Sequence, residues 1–178
     1  IMPIQRAKPK LTDIRGGTPL TSSSSIVTSQ LPAGTILKHQ KVTWNDVTQS
    51  QNDSFTDITN GTLSYTPVSA SSTLRITANI YVYFGQGSST TVGGAIRLVH
   101  DGTALNSPGS QQYYKSAGSG TAILQVPHLH IEYVSAGSTS ARTIKVQARC
   151  YAGSSAAEFV INKLNQFYSN IEVLEIAG

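Results

Sequence analysis

Cysteine is almost absent from this chain. Cys150 stands alone among 178 residues, which excludes an intramolecular disulfide and a cysteine-based metal cage. It shares an alternating apolar face with Ile144, Val146 and Ala148, so a buried, inert thiol is expected. Long apolar runs are missing too: no stretch approaches the roughly 18 residues of a membrane-spanning helix. Met2 to Lys10 is basic, but no apolar segment of the kind a secretory signal needs follows it. The expectation is a soluble protein made in a cytoplasm, with no membrane partner.

Charge is scarce, at 12% of residues. Chemistry-bearing motifs are missing as well: the chain has no G-x-S-x-G elbow, no P-loop and no H-E-x-x-H. Gly85-Gln86-Gly87 follows an apolar stretch but lacks the later glycine and the helix of a dinucleotide site. Asp46, Asp53 and Asp57 are the one acidic cluster that a glycosidase could draw on, and they lie where Asp and Asn usually form turns. Neither an enzyme nor a cofactor is expected.

Hydroxyls and strand patterns are what the chain does have. It contains 23 Ser, 19 Thr and 15 Gly, a composition suited to short strands and polar turns. Leu74 to Phe84 places Leu74, Ile76, Ala78, Ile80, Val82 and Phe84 on alternate positions. A period of two aligns them on one sheet face, whereas a helix would scatter them. Arg142 to Tyr151 and Ile171 to Ile176 repeat the signal, and Thr35 to Trp44, Leu63 with Tyr65, Ala95 to His100, Ala122 to Val126, Leu129 to Val134 and Phe159 with Ile161 extend it. Asn60-Gly61 and Asp101-Gly102 read as hairpin turns, and Pro127 as a break between two strands. Eight or nine strands joined by uneven loops favour an all-β, eight-stranded, two-sheet jelly roll over residues 35–178, ahead of an immunoglobulin-like sandwich.

Residues 1–34 differ in kind. Residues 1–41 carry six basic residues against Asp13, a charge of +5, while residues 42–178 carry seven basic and eight acidic ones, a charge of −1. The first 34 residues also hold four prolines and the run Thr21 to Ser25, with no sustained periodicity. Such a segment is either a solvated tail or an extended arm that orders on a partner. Its dispersed apolar residues, Leu11 and Ile14 among them, favour the arm. With Arg6, Lys8, Lys10 and Arg15 they form the expected docking set. No aromatic residue precedes Trp44 and no basic cluster occurs, so a protein partner is expected rather than nucleic acid.

Two further groups stand out. His128, His130 and Glu132 alternate on one strand at steps of roughly 6.6 Å, which could supply adjacent metal ligands. The plainer reading, and the one expected, has them facing water or a subunit neighbour while Leu129, Ile131 and Tyr133 face the core. Tyr81, Tyr83 and Tyr133 put aromatic bulk on strand faces; a second subunit or a sugar would cover them, and the subunit is favoured.

Five segments then carry a resemblance. Pro67-Val68-Ser69-Ala70-Ser71-Ser72-Thr73-Leu74-Arg75-Ile76-Thr77-Ala78, Leu98 to Leu105 around Asp101-Gly102-Thr103, Thr143 to Gln147, Val160-Ile161-Asn162-Lys163 and Ser169 to Ile176 resemble, in order, motifs of small jelly-roll proteins of tailed-bacteriophage virions. His100 stands where an arginine is more usual. The resemblance covers residues 42–178 and implies a non-enzymatic homotrimer of tumour-necrosis-factor-like shape on the virion. It would serve as a head decoration, a fibre knob or a receptor-binding tip. A fibre tip hangs on a shaft of heptads or repeats, and this sequence has neither. The first expectation is therefore a trimeric decoration or cement protein docked on capsid or tail proteins through residues 1–34. The alternative is a tail- or head-fibre knob whose loops 85–94 and 106–120 bind host-surface glycans.

Overall fold

A computed structural model describes residues 31–50, 53–86, 92–106, 112–115, 122–151, 157–163 and 167–178. The expected docking residues Arg6, Lys8, Lys10, Leu11, Ile14 and Arg15 lie outside that set. Eleven strands and no α-helix occur among the described residues: β1 (Ile36–Trp44), β2 (Thr48–Ser50), β3 (Thr56–Tyr65), β4 (Thr73–Gln86), β5 (Val92–His100), β6 (Thr103–Ala104), β7 (Tyr113–Lys115), β8 (Ala122–Ser135), β9 (Arg142–Tyr151), β10 (Ala157–Ile161) and β11 (Ser169–Ile176). Every pairing is antiparallel.

The strands form two sheets. One runs β1-β11-β4-β10-β2 with β8 also on β4, and the other runs β3-β9-β5-β6 with β7 also on β5. β4 organises the first sheet. β8 lies along its whole length on one side, while β11 covers residues 73–79 and β10 residues 82–86 on the other. β10 and β11 are thus one interrupted strand. β1 and β2 repeat the interruption opposite them, pairing with β11 and β10 respectively.

The alternation in the sequence fills the space between the sheets. Leu74, Ile76, Ala78, Ile80 and Val82 of β4 are buried against Ile144, Val146, Ala148 and Cys150 of β9, with Ile171 and Val173 of β11 and Trp44 in the same cluster. Burial also raises the Cys150 thiol pKa, with Asp53 adding to the effect, as an inert thiol requires.

Two local readings are corrected. Asn60-Gly61 is not a hairpin turn: β3 runs through it, and the register slips between Asp57 and Thr62. Asn60 takes a left-handed φ of 58°, so the dipeptide makes a bulge, which needs the same conformational freedom as a turn. Pro127 likewise does not divide two strands. It lies within β8 opposite Tyr81, whose N–H and C=O turn away from β8, to Ser169 Oγ and the Asn162 N–H, both at 3.0 Å. That pair makes no ladder hydrogen bond, so Pro127 needs no N–H there and tolerates the edge of a sheet. Asp101-Gly102 is the hairpin expected, with φ of 48° and 82° matching a type I′ turn between β5 and β6.

Two buried polar knots hold strand ends in place. Glu175, with no exposed surface, follows Ile171 and Val173 on the inward face of β11. Its carboxylate accepts from Tyr65 Oη at 2.9 Å, the Val68 and Ser69 N–H groups at 2.9 Å and Ser72 Oγ at 2.6 Å, which fastens the 66–72 turn to the sheet. At the paired interruptions, Asn162 accepts from Ser169 Oγ at 2.6 Å and donates to the carbonyls of Trp44 and Asp46 at 3.3 Å. Asn162 has φ of 55°, a conformation that asparagine tolerates better than most residues.

Candidate functional site

Among the described residues β8 is an edge strand, as β1 and β3 are, and it is the longest of the three. Among the described residues it pairs with β4 alone over fourteen positions, so its other edge is open. The register fixes which way its side chains point. His128, His130, Glu132 and Val134 stand opposite Ile80, Ala78, Ile76 and Leu74, all buried, and so face inward. Leu129, Ile131 and Tyr133 stand opposite Asn79, Thr77 and Arg75 and face outward, with 61%, 40% and 62% of their surface exposed. This reverses the expected arrangement, in which the apolar set faced the core and the polar set faced out.

The inward polar residues find partners at the open end of the sandwich. Tyr113 of β7 is hydrogen-bonded through its hydroxyl to His128 Nδ1 at 2.8 Å, joining the edges of the two sheets. His130 Nε2 donates to Glu132 Oε1 at 2.8 Å, and the two imidazole rings lie nearly parallel with centroids 6.3 Å apart. Burial, with the neighbouring His130 charge, pushes the His128 pKa below the usual histidine value. Among the described residues no group of three or more His, Cys, Asp or Glu side chains is arranged to hold a metal ion. His128, His130 and Glu132 serve instead as the polar lining of the β7–β8 seam.

The outward row is a different kind of surface. Leu129, Ile131 and Tyr133 follow one another along an open strand, and beside Tyr133 the Arg75 Nε is buried with no hydrogen-bond partner. Tyr81 and Tyr83, further along β4 on the same sheet face, are covered by their own chain. Phe167 stacks on Tyr81 with ring centroids 4.6 Å apart, and the Lys163 ammonium sits 3.8 Å from the Tyr83 ring centre. Of the three tyrosines expected at an interface, Tyr133 is the exposed one. Leu129 and Ile131 were missed because their alternation was assigned to the core.

The acidic residues are separately engaged. Asp57 accepts from Lys145 at 2.7 Å and from Gln147 at 2.6 Å. Asp46 accepts from Asn60 at 2.8 Å, beside a groove of about 530 Å³ between β1 and β3. Asp101 accepts from Arg142 and from the Thr143 N–H, each at 2.8 Å, which braces the β5–β6 hairpin. Ser69, Ser72, Asp101, Asn162, Ser169 and Glu175, which lie in the segments that carry the resemblance, therefore help to build the fold. Of the loops expected to meet a glycan in the alternative reading, residues 87–91, 107–111 and 116–120 lie outside the described residues. Comparison with protein-family models and with curated proteins finds no match.

Proposed function

We propose that the sandwich is a jelly roll and that the chain is a bacteriophage virion structural protein, a trimeric capsid decoration or cement protein docked through residues 1–34. The strand order supports the jelly roll. Taking β10 and β11 as one strand, the sheets read β1-β11-β4-β8 and β3-β9-β5-β7, so the chain passes repeatedly between sheets, as two Greek keys require. The motif resemblance supports the virion class and supplies the number three.

The observation that carries the assembly is the one-sided β8. An open fourteen-residue strand with Leu129, Ile131 and Tyr133 exposed in a row is a surface that soluble proteins seldom leave bare. Pro127 removes an outward N–H from the middle of that edge, which opposes continuous strand addition and favours packing through side chains. A neighbouring subunit lying on this row fits both features. The role is structural rather than catalytic, and the protein is made in the host cytoplasm and ends on the particle.

The arm has a defined point of departure. Gly34 N–H donates to the Ala177 carbonyl at 2.9 Å and the Ala177 N–H to the Thr35 carbonyl at 2.8 Å, so residue 34 is fixed against residue 177. A segment anchored there can extend onto a shell without disturbing the sandwich. Deleting residues 1–34 is expected to leave a folded trimer that no longer cosediments with virions. Continued decoration by the truncated chain would overturn docking through the arm.

A further inference from the structure

The outer face of the second sheet carries a charge arrangement that the assembly does not use. Phe55 lies under two arginines: the Arg97 guanidinium carbon is 4.2 Å from its ring centre and that of Arg149 is 4.7 Å. Arg97 stands opposite Gln147 and Arg149 opposite Ala95 on the paired strands β5 and β9, which fixes both side chains on one face. The arginines and the ring are half-buried, and Ala95 beside them is fully buried.

Among the described residues no carboxylate forms an ion pair with either guanidinium. Arg97 spends its Nε on Gln147 Oε1 at 2.8 Å. Arg149 makes no hydrogen bond among the described residues, and its Nε is buried away from water. Asp57 on this face accepts from Lys145 and Gln147, and those hydrogen bonds, helped by the Arg97 charge, hold its pKa below the ordinary carboxylate value. A guanidinium offers five N–H donors in a planar fork suited to an oxyanion, and two such forks on one ring repel each other until an anion bridges them.

We propose that Arg97, Arg149 and Phe55 form a binding site for an acidic saccharide, in which a sugar carboxylate or sulfate group bridges the two guanidinium groups. The neighbours favour a sugar over a polyanion. Asp57 and Gln147 lie beside the arginines and can accept from hydroxyl groups, whereas a run of phosphates or carboxylates would meet Asp57 as a like charge. The site is on the sheet opposite β8, so its binding is separable from subunit association.

Calorimetric titration of the full chain with digalacturonate, a sulfated disaccharide and neutral digalactose at low salt tests the site, with a glutamate-rich peptide and a short single-stranded DNA as competitors. One or both acidic sugars should bind, the neutral sugar at least about tenfold more weakly. Arg149→Gln and Arg97→Gln should each weaken binding by about tenfold or more, and Arg149→Lys, which keeps the charge but not the fork, by several-fold. Arg149→Gln should still melt cooperatively, with at most a small loss from the Phe55 contact, since its side chain makes no hydrogen bond among the described residues. Failure of both acidic sugars to bind, equal binding by the glutamine variants, or tighter binding of the peptide or the DNA would each overturn the proposal.

Discussion

Replacing Glu175 isolates the strongest polar contribution to the fold. Its carboxylate is enclosed and receives four groups, of which Tyr65 Oη and Ser72 Oγ are themselves buried. Glu175→Ala leaves Tyr65 Oη without an acceptor, at roughly 1–3 kcal/mol, whereas Ser72 Oγ can still donate to the Ser69 carbonyl at 2.8 Å. The Val68 and Ser69 N–H groups belong to a turn at the surface and can partly recover water. A loss of about 2–4 kcal/mol follows, a large share of the stability of a domain this size. Glu175→Gln keeps one acceptor oxygen but aims an amide NH2 at a site built of donors, for a loss of about 2–3 kcal/mol.

The same residue sets an acid limit. Burial works to raise the Glu175 pKa above its ordinary 4.5, but hydrogen bonds from Ser72, Val68, Ser69 and Tyr65 outweigh it and hold the pKa below that value. The folded chain therefore binds this proton more weakly than the unfolded chain. The increment is complete above about pH 4.5 and disappears as pH falls through the lower folded value. Urea denaturation at fixed protein concentration, at neutral pH and again below pH 4, measures both effects. A Glu175→Ala protein within about 1 kcal/mol of the parent, or a glutamine variant with the parent's full acid sensitivity, would refute the reasoning.

Two other outcomes follow from the seam and the edge. Burial lowers the pKa of both His100 and His128 from 6.5, so their neutral forms stabilise the fold above that pH and the increment is lost as pH falls below it. Melting temperatures should drop between about pH 7.5 and pH 5.5, and His128→Gln should flatten that drop; a slope identical to the parent's would count against the seam. Pro127→Val should leave the melting temperature nearly unchanged, but by restoring an outward N–H on the β8 edge it should raise aggregation measured by light scattering. Equal scattering by the two proteins would show that Pro127 does not guard the edge.

Most of the fold can be read from the chain because a period of two survives wherever one face is fully buried. β4, β9 and β11 all show it, and their apolar faces meet as the pattern predicts. β8 shows why pattern alone can point the wrong way. Its residues alternate cleanly, but β8 lies at the margin of the sandwich, where an inward position reaches a seam and not a closed core. Tyr113 bonds His128 Nδ1 there and His130 bonds Glu132, so most of the inward polar atoms are paired although His128 Nε2 is not, and the apolar row is left facing out. Parity came from the register with β4, a long-range fact that no local window contains.

The burial of Glu175 is legible in the sequence. The residue shares parity with Ile171 and Val173, and a carboxylate at an inward position implies a set of donors waiting for it. The run Ser69 to Ser72, noted above as part of a motif, supplies several of them. The bulge at Asn60-Gly61 was hidden for a simpler reason: turns and bulges call for the same residues.

The surface presented by β8 is the centre of this account, and its most direct test is mass in solution. Analytical ultracentrifugation of the full chain should give a species of three 18.9 kDa protomers, and Ile131→Asp with Tyr133→Asp should reduce it to a folded single protomer. A parent protein that sediments as one protomer, or a double variant that remains a trimer, would contradict it.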